Sequence, residues 1–263
     1  MTATIISLAL GSGALVGFVL GLIGGGGSIL AVPLLIYVVG VGSPHVAIGT
    51  SAVAVALSAL ANLVGHARRG NVKWPCALVF AAAGVAGAAV GSTFGKQFDG
   101  QKLLMLFGAM MLVIAAVMLR RRNGQGDPDV ALNAGSARRL LPRLLARGFG
   151  VGVLSGFFGI GGGFLIVPGL MAATGMPMLL AVGSSLVAVT AFGLTTAVNY
   201  AASGLVDWPL VGLFIAGGVA GGLFGGRLAG SLAGRKQLLS QVFAGFVAVV
   251  GVYILVRGWM GGA

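Results

Sequence analysis

Gly21-Leu22-Ile23-Gly24-Gly25-Gly26-Gly27-Ser28-Ile29-Leu30-Ala31-Val32-Pro33 returns without a gap, 135 residues later, as Gly156-Phe157-Phe158-Gly159-Ile160-Gly161-Gly162-Gly163-Phe164-Leu165-Ile166-Val167-Pro168. Glycine runs make poor helix, each residue costing about 1 kcal/mol relative to alanine, yet both runs sit inside long apolar stretches. They read as breaks within helical segments. Outward from them the repetition continues at an offset of 134: Gly49-Thr50-Ser51 matches Gly183-Ser184-Ser185, Gly70 matches Gly204, and Trp74-Pro75 matches Trp208-Pro209. Glycine matches alone carry little weight in a chain with 49 of them, but the Pro, Trp and hydroxyl matches share one register and make this an internal duplication.

The two halves parse alike. A broken apolar segment (about 5–39, then about 148–174) precedes three helices, at about 45–65, 76–95 and 103–119 and again at about 179–201, 209–230 and 238–256. The fold class expected is an all-α membrane protein of two homologous repeats, 1–119 and 148–263, joined by a basic cytoplasmic linker at 120–147. Composition agrees: 58% of the 263 residues are hydrophobic, 8% are charged, and mean hydropathy is +1.07. A soluble domain needs more charge to cover its surface, whereas apolar stretches of this length cross a bilayer core of roughly 30 Å as helix. Strand-like alternation over about 10 residues is absent, which argues against a β-barrel. The first basic residue is Arg68, so the N-terminal segment reads as retained membrane structure rather than a charged secretory leader. Lone Cys76 reads as a helix-packing residue. The formal charge of +12 is assigned to cytoplasmic Lys and Arg, not to nucleic-acid binding.

Whether each broken segment returns to its own side or runs straight through decides the relation between the halves. Returning segments give inverted repeats, with 13 Lys and Arg on the cytoplasmic side against 3 outside; straight ones give parallel repeats, with 11 against 5. The positive-inside rule favours the inverted arrangement, in which a substrate lies between repeats where helices are discontinuous.

The Gly-rich break followed by an apolar run and Pro33 or Pro168, then Gly49-Thr50-Ser51 or Gly183-Ser184-Ser185, resembles the sulfite exporter TauE/SafE family over nearly the whole chain. The resemblance implies a multi-pass transporter of a bacterial-type inner (plasma) membrane that moves sulfite, sulfonates or related small organic anions, usually outward. It implies a transporter rather than an enzyme, and no cofactor.

The residues offer a matching chemistry. The breaks Gly24, Gly25, Gly26, Gly27, Ser28 and Gly159, Gly161, Gly162, Gly163 precede short helices starting near Ile29 and Phe164, whose first N–H groups are free and sit at a positive dipole end. Glycine lets an anion approach such backbone closely; helix packing or a hinge is the competing use. Thr50, Ser51, Ser184 and Ser185 begin the next helices. Ser51, Ser58 and Asn62 share one helix face, as do Ser185, Thr196 and Asn199. These polar groups either complete an oxyanion site or bond their own and neighbouring helices. A dinucleotide-binding reading of the glycines fails for want of a βαβ context. His66 reads as interfacial beside Arg68 and Arg69, and Trp74 and Trp208 as interface anchors. Gly87, Gly91 and Gly95, and Gly217, Gly221 and Gly225 with Gly218, Gly222 and Gly226, recur every fourth residue, which suits close packing of the two repeats or a homodimer. No metal site is expected. The four acids, Asp99, Asp127, Asp129 and Asp207, fall outside the expected helices. Coupling to protons or sodium usually needs an intramembrane ionisable group, so the reading is a uniporter-like anion exporter. The alternatives are an importer or proton-coupled carrier of another small organic anion, or a cation or metal-ion transporter.

Overall fold

A computed structural model of the protein describes residues 2–23, 25–120, 127, 129–159, 163–231 and 236–260. In chain order the helices are α1 (Ala3–Ile23), a 3-10 turn (Gly25–Leu30), α2 (Ala31–Tyr37), α3 (Pro44–Arg68), α4 (Trp74–Gln97), α5 (Gly100–Arg120), α6 (Ala134–Phe158), α7 (Gly163–Thr174), α8 (Met178–Ala201), α9 (Trp208–Ser231) and α10 (Lys236–Met260). Among the described residues there is no strand, and seven helices are long and apolar enough to cross a membrane. Side chains such as Val198, Trp208, Phe94 and Phe224 stand more than half exposed, a surface suited to lipid.

Helix ends follow local chemistry. Ser43 caps α3 ahead of Pro44, and Pro75 sits in the first turn of α4, where its missing N–H costs nothing. Gly70 and Gly204 follow the ends of α3 and α8 at the same φ of 69°, and Gly40 and Gly175 hold φ 87° and 79°. Each pair occupies equivalent places in the two halves, and a left-handed conformation favours glycine there.

Two elements differ from expectation. The second broken segment begins at Ala134, well inside the stretch expected as linker. Asn133 and Ser136 form a reciprocal capping box, and Leu140 and Leu144, one turn apart, bury against the bundle. Arg138, Arg139, Arg143 and Arg147 are good helix formers on the exposed face. The first break, for its part, does not leave a loop before α2: the 3-10 turn runs directly into that helix through Leu30, itself in a helical conformation.

The packing has a reciprocal pattern. α1 lies along α9, and α6 lies along α4. Added Cβ atoms on Gly13, Gly17 and Gly21 would strike the backbones of Phe214, Gly218 and Gly222; those on Gly148, Gly152 and Gly156 would strike Phe80, Gly84 and Ala88. The second set is the first displaced by the repeat offset. Numbers rise together, so each pair runs side by side in one direction. The central helices behave otherwise. Gly49 meets Leu205 and Tyr200, Gly193 meets Ala52 and Ala56, and Gly183 meets Asn71, so α3 and α8 run in opposite directions. They are also the most enclosed, with 72% and 67% of their membrane-spanning stretches buried against 33% to 44% for the other five. A cross-section therefore has α3 and α8 at its centre and glycine-lined seams on either side.

Candidate functional site

The described parts of both breaks contact this centre. The 3-10 turn folds back on α1, where a Cβ on Gly27 would stand 2.8 Å from the Val16 carbonyl oxygen. Because this turn precedes α2 directly, the unpaired N–H groups of a helix start move from Ile29 to Gly25, Gly26 and Gly27. At the second break Gly159 closes α6 at φ 66° and α7 begins at Gly163. Gly24, Gly161 and Gly162 lie outside the described residues. The 3-10 turn touches both α7 and α8, and a Cβ on Gly159 would strike Ile48 of α3. Each break therefore meets the central helix of the opposite half. Ser28 is fully buried in the turn.

The hydroxyls divide into two kinds. Thr50 Oγ1 accepts the Asp207 N–H at 2.9 Å, and Ser184 Oγ accepts the Lys73 N–H at 2.9 Å. These are the same contact in the two halves, since 184 and 207 stand 134 beyond 50 and 73. Each satisfies a free N–H just before α9 or α4, so the pair ties the halves together. A hydroxyl that accepts one bond still has its own hydrogen to donate. Ser51 and Ser185 instead donate back to the carbonyls of Ile48 (2.9 Å) and Val182 (2.7 Å) in their own helices.

The two polar faces end differently. On α3, Asn62 donates to Ser58 O at 2.9 Å, and Ser58 and Asn62 rest on Gly218 and Gly222 of α9, where any Cβ would collide with them. Arg69 donates to Gly226 O at 2.9 Å, one turn further along the same helix. Three glycines of α9 spaced four residues apart, Gly218, Gly222 and Gly226, thus each meet a polar side chain. On α8, Phe192 occupies the place equivalent to Ser58. It lies against Gly84 and stacks on Phe80, ring centroids 6.3 Å apart. Thr196 is buried with no partner for its hydroxyl among the described residues. Asn199 does not join Ser185 and Thr196; its amide donates to Ser92 Oγ (2.6 Å) and Thr93 Oγ1 (3.1 Å), and its oxygen accepts from Lys96 at 2.6 Å.

Several groups escaped the reading by helix face. Ser155 and Tyr200 are fully buried, their hydroxyls without a partner among the described residues, each a cost of about 1–3 kcal/mol unless something bonds it. Lys96 and Arg69, counted only as topology charges, each bridge helices of opposite halves. All four carboxylates lie outside helices. Among the described residues no three His, Cys, Asp or Glu side chains form a group fit for a metal ion.

Comparison with known proteins gives one direction. A family model described as sulfite exporter TauE/SafE matches residues 9–254. The chain is 50% identical to a "Probable membrane transporter protein" of Xylella fastidiosa (strain 9a5c), covering 98% of each chain. It is 29% identical to "Probable membrane transporter protein YunE" of Bacillus subtilis (strain 168), over 74% of this chain and 78% of the relative. No solved structure matches.

Proposed function

Since the chain belongs to the sulfite exporter TauE/SafE family and is a membrane transporter, we propose that its cargo is a small anion such as sulfite or an organosulfonate, carried outward across a plasma membrane between the two glycine breaks. The observation that carries the reading is the contact between the 3-10 turn and α7. It joins the segments following both breaks, so the free N–H groups of Gly25–Gly27 and of the α7 start at Gly163 can face one ligand. Gly24, Ser28, Gly159, Gly161 and Gly162 complete the breaks, and Thr50, Ser51, Ser184 and Ser185 begin the helices those breaks meet. Asn62 and Asn199 stand nearer the two ends, on the way in and out.

We further propose that the halves are inverted repeats. Two features support this: the equivalent central helices α3 and α8 run antiparallel, and Arg69 bonds the α9 residue next to Arg227. Parallel repeats put Arg69 and Arg227 on opposite faces of the membrane.

The energetics then need no coupling ion. With all carboxylates in loops, nothing in the helices resembles the acidic groups of proton- or sodium-driven carriers. An inside-negative potential favours exit of a monovalent anion by about 2.3 kcal/mol per 100 mV. The anion class is tested by thermal stability of the purified protein against sulfite, methanesulfonate, acetate and divalent metal chlorides. A rise in Tm with the sulfur oxyanions is expected, and stabilisation by divalent metals alone would overturn the anion reading.

A further inference from the structure

Lys96 stands in the last turn of α4, at the end of the bundle opposite Arg69. Its ammonium donates to Asn199 Oδ1 at 2.6 Å, Ser203 Oγ at 2.8 Å and the Asn199 carbonyl oxygen at 3.1 Å. All three acceptors belong to the second half, while Lys96 belongs to the first. Asn199 is fixed in turn by Ser92 and Thr93 of α4, and Ser203 Oγ also donates to the Asn199 carbonyl at 3.3 Å. Asp99, three residues on, is turned to the Lys102 N–H at 2.9 Å and makes no ion pair with Lys96. Among the described residues, this half-buried cation is thus held by neutral oxygens.

The other end carries an equivalent clasp. Ser203 is the counterpart of Arg69 and Gly226 that of Ser92, both at the repeat offset of 134. Arg69 reaching Gly226 and Lys96 reaching Asn199 and Ser203 therefore close related seams, α3 on α9 and α8 on α4, at opposite ends. The bonds from the ammonium to Asn199 and Ser203 are already charge-assisted, but an oxyanion acceptor adds the Coulomb attraction of an opposite charge, which neutral oxygens lack. An oxyanion arriving at Lys96 competes favourably with an amide and a hydroxyl.

We propose that Lys96 is an anion-docking residue at one mouth of the transport path, where a small oxyanion displaces Asn199 and Ser203 from the ammonium and thereby releases α4 from α8. This rests on the anion reading above. Two substitutions then act in opposite directions. Lys96→Met removes the docking charge, while Asn199→Ala removes a competitor and leaves the charge free.

The test is uptake of radiolabelled sulfite by proteoliposomes holding the full-length protein, with KM and maximal rate measured for each variant. Lys96→Met is expected to raise KM at least tenfold, Asn199→Ala to lower it several-fold, and Lys96→Arg, which keeps the positive charge, to stay within about threefold of the parent. A merely structural clasp is broken by Lys96→Met and Asn199→Ala alike, so KM shifts in the same direction, or two unchanged KM values, overturn the proposal. A measurable maximal rate in Lys96→Met shows that its raised KM is not failed folding, and Lys96→Arg shows that the charge is what matters. If the parent protein carries neither sulfite nor methanesulfonate, it is the anion reading that falls, and with it the docking role.

Discussion

Placing a single methyl group on α1 tests the glycine seams. A Cβ on Gly17 would lie 2.6 Å from the Gly218 Cα and nearer still to its carbonyl oxygen, whereas ordinary contact begins at 3.4 Å. The α1–α9 seam has to open by at least about 0.8 Å, and the neighbours at Gly13 and Gly21, which make the same close approach, open with it. Both partners are backbone, so no side chain can turn aside. Overpacking of this kind costs about 1–3 kcal/mol, a shift of roughly 5- to 150-fold in the folding equilibrium. Gly11 is the internal control: it lies on the same helix with nothing within 4 Å of a built Cβ, so Gly11→Ala is expected to be neutral or to gain up to about 1 kcal/mol of helix propensity. Gly152→Ala, at the equivalent place on α6, would meet the Gly84 Cα at 2.6 Å and should match Gly17→Ala. The assay is reversible unfolding in mixed micelles by SDS titration. Equal stability of Gly11→Ala and Gly17→Ala would refute the close-packed seam, and a large difference between Gly17→Ala and Gly152→Ala would refute its reciprocity.

Other outcomes follow from the same contacts. Thr50→Val and Ser184→Ala should each cost about 0.5–1.5 kcal/mol in that assay, because a part-buried N–H of Asp207 or Lys73 loses its acceptor, while Thr50→Ser should cost less because it keeps the hydroxyl. In a Cys76→Ala background, Arg69→Cys and Arg227→Cys should be labelled by a membrane-impermeant thiol reagent from one side, and Ser203→Cys from the other. Labelling of positions 69 and 227 from opposite sides would contradict inverted repeats.

Much of the framework was readable because the chain states it twice. The matched Gly70 and Gly204 turn out to be paired left-handed glycines, and the Trp-Pro pairs located the starts of α4 and α9. The fourth-residue glycines anticipated the tight seams but not the partner of each. What escaped depends on contacts between helices. Helical periodicity places Thr50 on a face, but not against Asp207, 157 residues away. It groups Asn199 with Thr196, whereas Lys96 draws Asn199 toward α4. Arginine-rich sequence read as linker is helix from Ala134 because capping and helix propensity act locally, whatever the charge. Glycines expected as an open break wind into a 3-10 turn, since a buried backbone must still pair most of its N–H and C=O groups.

The central claim is uncoupled movement of a small anion through a bundle without membrane-embedded carboxylates, and sulfite flux in proteoliposomes at an imposed potassium diffusion potential tests it most directly. Efflux should rise steeply as the interior is made negative and should persist when internal and external pH are clamped equal. Flux that ignores the potential and follows a proton gradient would contradict it.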